Sequence, residues 1–287
     1  QSPDAADLAA NWQRLAEHFD TLFTTEASID ALKQTVLQLA VTGKLVPQDP
    51  NDEPASELLK RIAKERARLE VEGVCKNTKL LPPVGEKECP FDVPNGWEWV
   101  RLGTIGETNI GLTYSPKVLS NTGTPVLRSS NIQKGLLDLS DLVRVRMDVK
   151  DSVVAREGDL LICARNGSKA LVGKTALITG LTEKMAFGAF MAIFRSQFNQ
   201  YLLYFINSPL FRRMIDDVNT TTINQITQGN LRGTALPLPP ITEQHRIVAK
   251  VDELMALCDH LKADLAESRT RQDRLATTLI ETALMAA

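Results

Sequence analysis

Histidine, cysteine and aromatic residues are scarce in this sequence. Three histidines in 287 residues (His18, His245 and His260) leave little material for metal ligation or acid–base chemistry. The four cysteines, Cys75, Cys89, Cys163 and Cys258, form no C-x-x-C pair and have no histidines at zinc spacing. A disulfide framework and a structural zinc site are therefore not expected, and a reduced, cytoplasmic setting is. No apolar run approaches the ~20 residues needed to cross a bilayer, so no membrane association is expected. No charged-then-apolar leader precedes the first periodic stretch, so secretion is not expected either. A start at Gln1 in place of Met fits a processed or engineered fragment.

Catalytic signatures are missing as well. Gly173-Lys174-Thr175 resembles the end of a phosphate-binding loop, but Ser168 stands where the first glycine belongs. The following Ala176-Leu177-Ile178 reads as a strand, not as the helix whose N-terminus would hold a phosphate. No G-x-G-x-x-G opens a βαβ unit, and no Asn-Pro-Pro-aromatic tetrapeptide offers adenine methylation. Asp148-Val149-Lys150 lacks the upstream acid of a nuclease site. All three histidines fall on predicted helices outside the middle of the chain, away from any serine or cysteine nucleophile. No enzyme activity and no cofactor are expected.

What is present is periodicity. Leu8, Trp12, Leu15, Phe19 and Leu22 form one helical stripe. A second helix is expected with Ser28 as N-cap, Ile29, Leu32, Val36 and Leu39 on one face, and Gly43 as its stop. A third begins near Pro54, runs to about Gly73 and carries a densely charged outer face. Residues 74–96 hold four prolines and two glycines and read as a linker. From Trp97 short apolar runs alternate with glycine-punctuated turns, the pattern of a β-rich domain. Strands are expected at 126–127, 136–142, 159–164 and 176–178, with one helix over 199–219.

After Leu236-Pro237-Leu238-Pro239-Pro240 the period is heptad. Ile247, Val251, Leu254, Cys258, Leu261, Leu265, Ser268, Gln272, Leu275 and Leu279 alternate at spacings of four and three. A helix over 243–284 would be about 63 Å long at ~1.5 Å per residue, longer than a globule of this size, and needs a partner helix. Ser268 and Gln272 break the apolar seam and would fix its register. The expected organisation is thus residues 1–73 helical, 74–96 linker, 97–240 a globular domain and 241–287 a long helix, an α+β fold overall.

Charge is uneven along the chain. Residues 1–100 carry a net −6, 101–233 a net +6 and 234–287 a net −2. A basic middle between acidic flanks suits a polyanion. Three loop clusters in it have hydrogen-bonding reach: Arg128-Ser129-Ser130-Asn131; Arg165-Asn166-Gly167-Ser168-Lys169, continuing to Lys174; and 220–230, with Asn224 and Gln225. Asn, Gln and Arg can read base edges, whereas Ser and Lys suit phosphates. The same residue types also build turns, so residue chemistry supports both readings equally. The candidates are Arg128, Ser129, Asn131, Arg165, Asn166, Ser168, Lys174, Asn224 and Gln225.

Three segments carry a family resemblance. One is residues 25–50, with Ser28-Ile29-Asp30-Ala31-Leu32-Lys33-Gln34 and Val41-Thr42-Gly43-Lys44-Leu45. The second is Pro94-Asn95-Gly96-Trp97-Glu98-Trp99-Val100-Arg101-Leu102-Gly103. The third is Leu236-Pro237-Leu238-Pro239-Pro240 followed by Glu243-Gln244-His245-Arg246-Ile247-Val248 and the run to Cys258. Together they resemble the DNA-specificity (S) subunits of type I restriction–modification systems, over nearly the whole chain. The resemblance implies a non-catalytic protein whose target recognition domain reads half of a split duplex DNA site. It implies helices that dock methyltransferase (M) subunits, with a motor–nuclease (R) subunit joining through that complex. Such subunits usually carry two recognition domains. Here there is one, with no internal repeat, so a half-size subunit or a fragment is expected, with self-association possible through the C-terminal helix. The reading from another class is a coiled-coil interaction scaffold with no DNA readout.

Overall fold

The computed structural model describes residue 14 and residues 24–72, 81–218 and 224–285. The first predicted helix, with Leu8 to Leu22, lies outside the described residues. Helix α1 (Glu26–Val41) begins one turn before the position expected from Ser28. Thr25 is the N-cap: its Oγ1 accepts from the Ser28 N–H at 3.1 Å, and Ser28 Oγ accepts from the Thr25 N–H at 3.3 Å. Two hydroxyls three residues apart satisfy each other's free amides, and the earlier start places Glu26 at the positive end of the helix. At the other end Gly43 takes φ +70° and Lys44 N–H donates to Leu39 O at 2.9 Å, a Schellman closure. A side chain at 43 would also strike Pro94, whose Cγ would lie 2.4 Å from its Cβ.

Helix α2 (Ala55–Val71) follows Pro54 and ends two residues short of Gly73. Residues 81–97 then run without regular structure apart from one turn at Glu86–Glu88. The stretch is pinned by Arg101, whose guanidinium donates to Pro82 O at 3.1 Å, Pro83 O at 3.2 Å, Gly233 O at 2.7 Å and the Glu88 carboxylate at 2.7 Å. That ion pair and the Gly85 amide pull the Glu88 carboxyl down to about 2.

The β-rich middle begins with β1 (Glu98–Arg101), a short helix α3 (Leu102–Ile105) and β2 (Glu107–Ile110). It continues through β3 (Leu119–Ser120), β4 (Thr124–Leu127), β5 (Ile132–Gln133), β6 (Leu136–Leu137) and β7 (Val143–Val145). The strand expected over 136–142 therefore shrinks to two residues. Lys134 and Gly135, both at positive φ, turn β5 back on β6. Then come β8 (Leu160–Cys163), β9 (Thr175–Leu177), β10 (Ala186–Phe187) and β11 (Met191–Arg195). Two four-stranded sheets result, ordered β2-β11-β8-β9 and β10-β4-β7-β3. Strand β8 is buried along its whole length, as its unbroken Leu-Leu-Ile-Cys run requires.

The single helix expected over 199–219 is two, α4 (Asn199–Ile206) and α5 (Pro209–Val218). Pro209 has no amide hydrogen to donate and its ring crowds the preceding turn, so the chain restarts there. Ser208 bridges the break, with Oγ donating to Phe205 O at 2.7 Å and accepting from the Phe211 N–H at 3.3 Å. After α6 (Gln228–Gly233), strand β12 (Ala235–Leu238) pairs antiparallel with β1, Glu98 opposite Leu238 and Arg101 opposite Ala235. The two ends of the middle region are thereby tied together.

Helix α7 (Ile241–Met285) has 45 residues, roughly 68 Å at 1.5 Å per residue. The first half of its seam is covered by this same chain. Ile247, Val251, Leu254 and Cys258 are buried in the large core with Ile29, Leu32 and Val36 of α1. Asp30 meets Lys262 at 2.5 Å, Lys33 meets Asp259, and Glu26 lies 4.0 Å from Arg269, so the two helices run antiparallel. Beyond Ser268 the seam is bare: Leu275 is 65% and Leu279 69% exposed.

Candidate nucleic-acid interface

Four loops meet at one end of the β-rich region. The loop after β8 (164–174) leaves at Ala164, whose amide donates to Phe190 O at 2.9 Å; the next amide, of Arg165, donates to the same oxygen at 3.0 Å. Phe190 belongs to the turn between β10 and β11. At the start of that turn Gly188 N–H donates to Leu127 O at 2.9 Å, just before Arg128. The segment 224–226 closes the other side. Ile226 N–H donates to Ala164 O at 2.7 Å, Arg165 and Gln225 form an isolated antiparallel bridge, and Asn224 Nδ2 donates to Gly167 O at 3.2 Å. The end of β2 completes the rim, with Leu112 N–H donating to Phe187 O at 2.7 Å. The crossing there is close. A Cβ on Gly111 would lie 2.2 Å from Gly188 O, so only glycine allows it.

Three sequence clusters separated by up to a hundred residues are thus joined by backbone hydrogen bonds. Arg165 is exposed, with its guanidinium 5.5 Å from the centroid of the Phe190 ring. Asn166 is half-buried; its Oδ1 accepts from the Ser168 N–H at 3.0 Å, which shapes the turn, and Ser168 itself is exposed. Lys174, Asn224 and Gln225 are half-buried at the same rim, and Lys174 makes no ion pair among the described residues. Arg128 lies 3.3 Å from the Asp141 carboxylate, beside half-buried Ser129.

Asn131 is different. It is 1% exposed, its Oδ1 accepts from the Arg128 N–H at 2.8 Å, and its Nδ2 donates to Asp138 O at 2.9 Å and Asp141 O at 2.8 Å. Both ends of the amide are spent on closing the 128–141 loop, so this candidate base reader is a loop builder. Residues 220–223 of the third cluster lie outside the described residues.

Two groups at the rim escaped the sequence reading. Phe190 is 61% exposed, an aromatic side chain left in water among polar loops. Its signal was its place after Gly188, where the apolar run Ala186-Phe187 has already supplied the buried residues. Arg212, on α5, donates to Val172 O at 2.8 Å and so braces the loop that carries Lys174. Lys169 on the same loop is paired with Asp216 at 3.0 Å. Cys163 lies beneath, buried, with burial pushing its thiol up, so it is not poised as a nucleophile.

No group of three or more metal-ligating side chains occurs among the described residues, and none of their helices is long and apolar enough to cross a membrane. His245 and His260 lie exposed on α7. The rim offers hydrogen-bonding groups and, in Arg165, a cation over an aromatic ring, with Lys174 on the same loop and Arg128 on a neighbouring one.

Comparison with known proteins gives the family. The family model described as the type I restriction modification DNA specificity domain matches residues 94–268. The chain is 41% identical over 99% of its length to the type I restriction enzyme EcoAI specificity subunit of Escherichia coli, of which it covers 49%. It is 38% identical to the EcoEI specificity subunit of the same organism, of which it covers 50%. The chain spans about half the length of these curated relatives. Among solved structures, the fold is shared with the HsdS subunit from Thermoanaerobacter tengcongensis, at a TM-score of 0.55 and 22% identity over 94% of this chain and 54% of that one.

Proposed function

The chain belongs to the type I restriction modification DNA specificity family, and on that premise we propose that residues 97–240 read one half of a split duplex DNA target. The observation that carries this is the rim itself: Arg165, Asn166, Asn224 and Gln225, distant in sequence, share one edge of a region with net positive charge. Arg165 and Gln225 supply paired hydrogen bonds for base edges, and Lys174, Ser168 and Arg128 supply phosphate contacts. The protein acts without a cofactor and catalyses nothing itself. Its helices dock the methyltransferase subunit, and the motor–nuclease subunit joins through that complex, in the cytoplasm.

The relatives are about twice as long as this chain, which supports a second reader for the other half-site. The bare distal seam of α7, with Leu275 and Leu279, supports self-association through that helix. Two linked readers gain affinity through effective concentration. Sedimentation equilibrium should show a dimer, weakened by Leu275→Asp with Leu279→Asp; a monomer at high micromolar concentration removes that element.

The bare seam also favours a second reading, an interaction scaffold with no DNA readout. Fluorescence anisotropy with duplex DNA across a salt series separates the two. Affinity should fall steeply with salt, and Lys174→Ala should reduce the log–log slope by about one while weakening all sequences alike. Arg165→Ala should cost about 1–3 kcal/mol on the preferred sequence and relax one position of it. Binding indifferent to salt and to both substitutions would leave the scaffold.

A further inference from the structure

Phe190 packs against Arg165, and its ring is the part of that pair the DNA reading above does not use. The Phe190 backbone is fixed on both sides. Its carbonyl takes the amides of Ala164 and Arg165, and Met191 N–H donates to Gly188 O at 2.8 Å. A ring held on so short a turn cannot fold back into the core, and 61% of the residue faces water. A single exposed apolar side chain is ordinary by itself; what singles out Phe190 is its place among the polar rim loops, on a fixed turn, with the Arg165 guanidinium over its ring. One face of the ring is already covered by the Arg165 guanidinium at 5.5 Å. Insertion between base pairs needs both faces, so the ring is suited to an apolar group approached from the groove.

In the major groove the apolar group on a base edge is the thymine methyl, and the partner of a bidentate arginine is guanine. Deepening the DNA-reading assignment and resting on it, we propose that Phe190 contacts the methyl of a thymine while Arg165, held in place by the ring, reads the adjacent guanine. The pair thus makes one thymine–guanine step a specificity determinant of the target. Phe190 is the specificity residue, and it also positions Arg165.

The test selects the full chain against a randomised duplex library prepared once with thymine and once with uracil, which lacks only the methyl. The selected motif should hold a thymine beside a guanine. Exchanging that thymine for uracil should weaken binding about three- to five-fold, the effect of one buried methyl. Phe190→Ala should lose a similar factor and bind the two duplexes equally; Phe190→Leu, still apolar, should keep part of the difference. All three chains should unfold at the same urea concentration, since the ring is outside the core. Binding that survives uracil at every thymine, or Phe190→Ala that still prefers thymine, overturns the contact and leaves DNA reading intact. A chain that enriches no motif from either library overturns both.

Discussion

Replacing Arg195 with alanine is expected to lower the unfolding free energy by about 3–5 kcal/mol, because it leaves a buried carboxylate without its counter-charge. The partner is Asp159, whose side chain is 2% exposed. The pair is bidentate: Arg195 Nε donates to Asp159 Oδ1 at 2.7 Å and Nη2 to Oδ2 at 2.6 Å. Among the described residues only the Arg156 amide, at 2.9 Å on Oδ2, would remain to hold the carboxylate. The pair also closes the fold at a sensitive place. Asp159 immediately precedes β8 and Arg195 ends β11, the two strands whose opposite ends carry the rim loops. Replacing both residues, Asp159→Leu with Arg195→Met, should cost less than Arg195→Ala alone, since no charge is then stranded. Urea unfolding measures both. A loss below 1 kcal/mol for Arg195→Ala would show that water reaches Asp159.

Glu243→Ala is expected to cost about 1–3 kcal/mol by leaving the buried Trp97 N–H unpaired, while exposed Gln48 keeps its bond to Gly43 O. Glu243 sits in the first turn of α7 and is 1% exposed. Its Oε2 accepts from Trp97 Nε1 at 2.9 Å and its Oε1 from Gln48 Nε2 at 3.1 Å. One carboxylate therefore joins the segment after α1, the start of the β-rich region and the start of the long helix. Burial pushes its carboxyl above the ordinary 4.5, against the pull of the Gln48 and Trp97 hydrogen bonds. A folded-state value above the unfolded one means that ionisation opposes folding. This contribution is most favourable below pH 4.5 and declines as pH rises from there through the folded value. Glu243→Gln keeps an acceptor for the Trp97 N–H and removes the titration. It should cost about 1 kcal/mol or less at neutral pH and should flatten that part of the stability profile. A glutamine variant as damaged as the alanine one, or a profile unchanged by it, would refute this account.

Much of the fold was legible because its signals are local. The heptad spacing from Ile247 to Leu279 identified a single long helix, and 45 residues of it are there. Gly43 stopped α1 as expected. The buried run of β8 and the turn glycines marked strands. Two misreadings came from residues with two uses. Ser28 and Thr25 can each cap a helix, and the pair settles on the earlier start. Pro209 can begin a helix or break one, and with Ser208 before it, it does both.

The candidate site was half legible. Arg165, Asn166, Asn224 and Gln225 were chosen for hydrogen-bonding reach, and backbone pairing does bring them together. Asn131 was chosen for the same reach and is spent inside the fold. The chemistry of an asparagine amide is the same whether it meets a base or two backbone carbonyls, and only the path of the 128–141 loop distinguishes these uses. Phe190 was passed over because an aromatic side chain reads as core until the surrounding chain is seen to leave it outside.

The order of residues alone determined which stretches are helix or strand and where the positive charge lies, because period, capping and composition act over a few neighbouring residues. Tertiary structure decided which halves of those elements face something. It covered α7 as far as Leu265 with α1 and left Leu275 and Leu279 bare, and it bridged Arg165 to Gln225 across sixty residues. Such pairings follow from closing long loops around a common core, and no local pattern encodes them.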